Sequence, residues 1–227
     1  MTKEKMSLAQ KVNVLRASVM GANDGIISIA GIVIGVAAAT SNSYAILIAG
    51  LSGTLAGMIS MCMGEYVSVS TQKDSQKMAL ISERLRLKRQ YQHEFDYVQK
   101  KYEDQDIDPR LAHQATKELM DKDALSTVVQ ERYGFNPHDF TSPYAAAIAS
   151  FISFPTGSIL PMLAVTLAPA NSRILATALA VLIALLVTGY CAAVLGKSNR
   201  AKSMLRNAAA GLLTMGVTFV IGQLFAH

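Results

Sequence analysis

The chain has 227 residues, of which 51% are hydrophobic; mean hydropathy is +0.30, formal net charge is +5, and there is no Trp. So apolar a composition excludes an ordinary soluble core and predicts a polytopic membrane protein. The positive charge forms no basic stripe interleaved with aromatics, which argues against nucleic acid as a partner.

Five stretches are long enough to cross a bilayer, which takes about 20 apolar residues. They cover roughly residues 14–40, 44–68, 143–168, 172–196 and 204–226. The fold expected is all-α, with five transmembrane helices and a cytoplasmic helical insert between the second and third. The first stretch follows a polar lead and has no cleavage pattern, so it reads as a span rather than a signal peptide. Tyr44, Tyr66, Tyr144 and Tyr190 fall near segment ends, where an aromatic belt is expected. Three regions follow: residues 1–70, with the lead and spans one and two; the insert, 71–140; and 141–227, with spans three to five. Basic residues cluster in the lead (Lys3, Lys5, Lys11, Arg16), in the insert and in the fourth connection (Lys197, Arg200, Lys202, Arg206). The first connection has none, the tail ending at His227 has none, and the third has only Arg173. The positive-inside rule then puts the N-terminus and insert in the cytoplasm and the C-terminus outside, in the plasma membrane if the protein is bacterial.

Within the apolar stretches only Asp24 and Glu65 are acidic. A carboxylate in hydrocarbon costs on the order of 3 kcal/mol, so both positions are functional candidates. Segment one reads Asn23-Asp24-Gly25, with Ser28 and Gly31 on the Asp24 face. Either this tripeptide loosens a span that lines a cavity, or it caps a short interfacial helix. Gly21/Gly25 and Gly31/Gly35 are spaced for close backbone approach. In segment two, Gly53, Gly57, Met61 and Glu65 recur every four residues, placing a thioether and a carboxylate on one face. Met61 is a ligand or core filler, and Glu65 is a ligand or a carboxylate that snorkels to the interface. Carboxylate with thioether suits a divalent transition metal, whereas Mg²⁺ and Ca²⁺ prefer oxygen alone.

The insert carries 12 Lys and Arg against 13 Asp and Glu. With no Pro or Gly before Tyr102, segment two is expected to run on as one helix to about that residue. Asp108 and Pro109 start a second helix, and a third piece runs from about Asp123 to Tyr133, stopped by Gly134. Ile107, Leu111, Ala115 and Leu119 are expected to form its apolar stripe. Pro155, Gly157 and Pro161 in segment three free carbonyls and kink the helix, a device that lines paths in transporters. Segments four and five show no chemical residue. Cys62 and Cys191 read as small buried hydrophobes, without zinc-ligand spacing.

Asn23-Asp24-Gly25, then Gly57, Ser60 and Met61, then Gly64-Glu65-Tyr66-Val67-Ser68-Val69, ahead of a helical insert and three more spans, resemble the vacuolar iron transporter family, in particular its bacterial branch. The likeness covers about residues 14–226. It implies a homodimer whose first helices flank a path exporting Fe²⁺, and often Mn²⁺, in exchange for protons. The metal is then substrate, and no cofactor is implied. Asp24 and Met61 match the family's membrane Asp and Met. A membrane Glu of eukaryotic members falls at Gly53 here, leaving Glu65 as second carboxylate. The family's insert gathers metal through glutamates, which Glu83, Glu94 and Glu131 match. Arg86 and Tyr97 stand where the resemblance implies two more, and Thr127 and Val128 replace a methionine pair. A weakened insert site is therefore expected, with Glu118, Asp121 or Asp123 able to compensate and His93 as a bystander.

The reading is a proton-coupled exporter of Fe²⁺ or Mn²⁺ with Asp24, Met61 and Glu65 in the membrane. The alternative is a non-transporting membrane protein whose insert senses metal or binds a partner. An enzyme is not expected: there is no Ser/His/Asp set, no HExxH and no phosphate loop.

Overall fold

A computed structural model describes residues 7–226; Lys3, Lys5 and His227, used above for orientation, lie outside them. The described residues form seven helices: α1 Leu8–Ala39, α2 Ser43–Arg89, α3 Tyr91–Glu103, α4 Pro109–Tyr133, α5 Pro143–Leu167, α6 Arg173–Leu195 and α7 Arg200–Leu224. Helices α1, α2, α5, α6 and α7 are long and apolar enough to cross a membrane, with window hydropathies from 1.5 to 2.5. This is an all-α, multi-pass membrane protein.

The chain divides into two compact units. One comprises residues 11–67 and 143–227 and holds the apolar helices. Its centre is α1, which is buried on two sides. Ile26, Ala30 and Ile34 pack with Val181, Leu185 and Met215 of α6 and α7, while Ile29 and Val33 pack with Ile46, Phe154 and Val165 of α2 and α5. Glycine makes these approaches possible. A Cβ on Gly25 would collide with the Phe154 carbonyl, and one on Gly157 would collide with that of Ala22, so α1 and α5 touch backbone to backbone. A Cβ on Gly35 would come within 3.1 Å of the Thr218 carbonyl, whereas one on Gly31 meets the Thr214 side chain at 3.0 Å. Through Asn23-Asp24-Gly25 the helix neither loosens nor ends; α1 is continuous. The interfacial-cap alternative is therefore overturned, because neighbouring helices pack around the tripeptide and hold it helical.

Helix α6 shows how a membrane helix differs from a soluble one. Leu175, Leu179, Ile183 and Val187 are exposed, while Thr177, Val181, Leu185, Gly189 and Ala193 are buried. Lipid is as apolar as a core, so large aliphatic side chains can face the tails as well as the interior, while Thr177, Gly189 and Ala193 on the inner face permit close packing. Cys191 lies on the exposed side of this helix and Cys62 is half-buried. This corrects the expectation that both are buried within the protein.

The second unit contains residues 68–142 together with described residues 7–10 of the lead. Asp108 caps α4 by accepting from the Arg110 amide at 2.9 Å, Pro109 follows at the first helical position, and Gly134 ends α4 in the left-handed conformation. Asp123 breaks α4 internally at φ −160°, and its Oδ1 accepts from the Ser126 amide, starting the expected third piece. Two expectations fail here. The helix begun in segment two does not reach Tyr102; it breaks at Gln90, whose φ of −143° and ψ of 52° are non-helical. The break separates α3, whose Phe95 and Val98 pack against Met120 and Val128 of α4. Burial of that face overrides helix continuity. The buried stripe of α4 is Ala112, Thr116 and Met120, not the neighbouring one: Leu111 is 61% exposed and Leu119 42%. Small residues face α3 and let the helices approach.

Candidate metal path

At Asn23 and Asp24, α1 carries adjacent polar side chains about 100° apart around the helix. Asn23 faces inward. Its Oδ1 accepts from Thr188 Oγ1 of α6 at 3.3 Å and from Asn207 Nδ2 of α7 at 3.2 Å. Polar groups in a membrane interior need such partners, and these bonds fix the rotation of α1. Asp24 is thereby turned to an exposed face, where its Oδ1 accepts from Ser28 Oγ one turn on, at 2.6 Å. Among the described residues no cation lies within ion-pair distance of Asp24.

The other membrane candidates sit differently. Met61, with Met58, packs on the cluster of Phe154 and Val165. Glu65 is only 7% exposed, and its Oε2 is 2.9 Å from Arg16 Nη2 of α1. The guanidinium also donates to Asn13 Oδ1 at 3.2 Å. Glu65 is held by a cation that also ties α1 to α2.

In the second unit, Glu83 and Glu94 are 0% and 1% exposed and are joined by one arginine. Arg132 Nη1 lies 2.8 Å from Glu83 Oε2, and its Nη2 lies 2.6 Å from Glu94 Oε2. The ring of Tyr97 supports the guanidinium, 4.2 Å from centroid to Cζ. Arg86 Nη1, at 3.2 Å, and Tyr133 Oη, at 3.0 Å, both donate to Glu83 Oε1, and His93 Nδ1 lies 3.4 Å from Glu94 Oε1. Burial lowers the pKa of Arg132, but hydrogen bonds to Glu83 and Tyr97 and the charges of both glutamates outweigh it, and the net shift is upward. Tyr133 is raised by burial and by its bond to Glu83. A guanidinium fork thus spans the two carboxylates.

Glu131 engages other groups: Lys101 Nζ at 3.3 Å from its carboxylate and Tyr102 Oη at 3.0 Å. Burial, followed by the bond and charge of Glu131, pushes the Tyr102 hydroxyl up to about 12. Thr127 Oγ1 donates to the Leu119 and Asp123 carbonyls at the break in α4, and Val128 is buried against α3. Asp123 is occupied by Ser126, whose hydrogen bonds hold its carboxyl below the ordinary value. Glu118 accepts from Gln114 at 3.0 Å, and Asp121 is exposed. Among the described residues no three His, Cys, Asp or Glu side chains of one chain come together as a metal cage.

Sequence reasoning passed over Thr188, Asn207 and Arg132. Asn207 had a legible signal, a carboxamide in an apolar helix. Arg132 had a weaker one: an arginine beside Glu131, with Tyr97 available to stack.

These features define a class: a membrane protein with five apolar helices, a carboxylate on the first of them that no cation of the described residues approaches, and a helical insert. Residues 15–223 match the profile of the VIT family, and the chain belongs to that family. It is 34% identical over 211 residues to the "Vacuolar iron transporter" of Acanthamoeba castellanii (strain ATCC 30010 / Neff), covering 92% of this chain and 78% of that protein. It is 31% identical over 218 residues to "Vacuolar iron transporter homolog 2.1" of Arabidopsis thaliana, covering 96% and 84%. Against "Vacuolar iron transporter homolog 1" of Oryza sativa subsp. japonica the identity is 33% over 212 residues, covering 93% and 73%.

Proposed function

We propose that this protein is a membrane transporter, not an enzyme, that exports divalent transition metal, Fe²⁺ and/or Mn²⁺, from the cytosol in exchange for protons. Its place in the VIT family and the iron-transporter names of its relatives support the metal. The observation that carries the mechanism is Asp24: a carboxylate in a membrane helix, exposed on the single chain and without a cationic partner among the described residues. A second copy of the chain would cover that face and bring two such carboxylates to one axis, which is why we read the protein as a homodimer. Ionised Asp24 binds the cation, and protonation from the far side removes the charge and releases it. Met61 adds a soft ligand on the same reading once it leaves its apolar contacts, which favours Fe²⁺ over harder ions. Glu65, paired with Arg16, serves the path by holding α1 to α2. The lead and insert face the cytoplasm and the C-terminus lies outside, a reading that the distribution of Lys and Arg supports.

The test is metal-driven flux in proteoliposomes with a proton-sensitive dye inside. Wild type should move metal and protons in opposite directions, and Asp24→Asn should do neither while remaining folded. Normal flux in that variant would remove Asp24 from the mechanism.

For the insert, the Arg132 fork across Glu83 and Glu94 supports a second reading. These glutamates hold the helical domain together through an internal cation rather than gathering metal. Titration of the purified protein with Mn²⁺ should then show no tight site that Glu94→Gln abolishes.

A further inference from the structure

Arg173 opens α6 and is only 8% exposed. Its Nη2 donates to Ser43 Oγ at the start of α2, at 3.0 Å. Its Nε is buried and has no hydrogen-bond partner. A buried guanidinium is normally paired with a carboxylate, because leaving its charge in an apolar setting is costly. Among the described residues no side-chain carboxylate pairs with it. The chain has no Asp or Glu between residues 25 and 64, nor anywhere after Asp139. Those intervals include every element packed around Arg173, and a second copy would bring none from the same segments.

Two further features lie beside this uncompensated cation. Ser172 precedes α6 without capping it through its side chain, so the first-turn amides lack that acceptor. Together with the guanidinium fork they suit a tetrahedral oxyanion. Arg173 also lines two cavities. One, of about 240 Å³, is bordered by Ala38, Thr40, Ser41 and Ala170. The other, of about 270 Å³, is bordered by Ser43, Ile46, Leu47 and Val165. The hydroxyls of Thr40, Ser41 and Ser43 and the aliphatic side chains of Ile46, Leu47 and Val165 therefore border cavities that share this cation.

We propose that Arg173, Ser43 and the first turn of α6 form a phosphate-binding site at the end of the bundle where α1 passes into α2. The phosphate is either the headgroup of a bilayer lipid or the free inorganic ion. Arg173 supplies the charge and the fork, and the α6 amides and Ser43 the remaining donors. The site is separate from Asp24 and its test does not depend on transport.

The experiment uses the full chain in an uncharged detergent and reads the thermal unfolding midpoint. Three additions are compared: phosphatidylglycerol, a phosphate-free glycosyl diacylglycerol, and inorganic phosphate against chloride at equal ionic strength. Wild type should gain several degrees from a phosphate-bearing addition, as expected for a ligand that binds only the folded state. Arg173→Gln should lose that gain and Arg173→Lys keep part of it. A gain from phosphatidylglycerol alone makes lipid the source; an equal gain from inorganic phosphate makes it the free ion. Equal gains in wild type and Arg173→Gln, or none in either, would overturn the site. If Arg173→Gln does not fold, amide hydrogen exchange over residues 173–176 of wild type is read with and without the same additions. Slowing by the phosphate-bearing one supports the site, and unchanged exchange rejects it.

Discussion

The unit of residues 68–142 pairs its two buried acids with a cation, whereas the membrane unit pairs its buried acid and leaves an exposed one without. In the unit of residues 68–142, Glu83 and Glu94 lie out of solvent and share Arg132, with Arg86, Tyr133 and His93 around them. In the membrane unit, Glu65 is tied to Arg16, but among the described residues the exposed Asp24 has the Ser28 hydroxyl and no cation. An acidic residue in the right segment is therefore weak evidence for a metal ligand. What matters is whether the fold has already given the carboxylate a cation. Three of the four have one, and Asp24 is the exception.

The sharpest way to break this contrast is to neutralise one acid of each kind. Asp24→Asn should bring flux in proteoliposomes to background, and Glu94→Gln should leave it within about twofold of wild type, the size of an effect of about 0.4 kcal/mol. Equal losses would make the two acids equivalent. Next in size is Arg132→Met, which leaves two buried carboxylates facing each other. It should destabilise the insert by about 3–5 kcal/mol, as loss of one partner in a buried ion pair does. Chemical denaturation followed by tyrosine fluorescence would measure it, and partial rescue by Mn²⁺ would show that the freed pair accepts a divalent ion. In the membrane unit, Gly157→Ala places a methyl against the Ala22 carbonyl and should cost about 1–3 kcal/mol. Thermal unfolding in detergent should register it, with Gly216→Ala, which meets nothing within 4 Å, as the control. The smallest effect is on pH. Tyr102 ionises near 10 when unfolded and at about 12 in the fold, so its contribution is complete below pH 10 and lost as pH rises through 12. Tyr102→Phe should flatten that part of the stability curve.

Much of this was legible in the sequence because it rests on local rules. The five apolar helices follow from composition, and the ends of α4 from Asp108, Pro109 and Gly134. The close approach of α1 followed from glycine spacing. What escaped depends on partners distant in the chain. The break at Gln90 has no glycine or proline to announce it; it exists because Phe95 and Val98 are buried against α4. On α4 the larger residues Leu111 and Leu119 drew the expected stripe, yet the small Ala112 and Thr116 make the contact. Glu83, Glu94 and Glu131 were singled out by resemblance, but Arg132 lies 49 positions from Glu83, and only the fold shows that it joins Glu83 to Glu94.

The glycine contact between α1 and α5 bears on movement. With Gly25 against the Phe154 carbonyl and Gly157 against that of Ala22, the two backbones mesh like teeth. A slide of one residue would drive a side chain into the opposing main chain at both points. Rearrangements of packed helices proceed by small shears or rigid rotations, and this pair resists shear. A Cβ on Gly222 would likewise strike the Gly35 carbonyl, and one on Gly189 the Met204 backbone, so α7 and α6 are meshed into the same block. On the proposed mechanism, a motion that exposes Asp24 to one side and then the other would carry these helices together, with slippage at α2, whose Gly50, Gly53 and Gly57 face side chains.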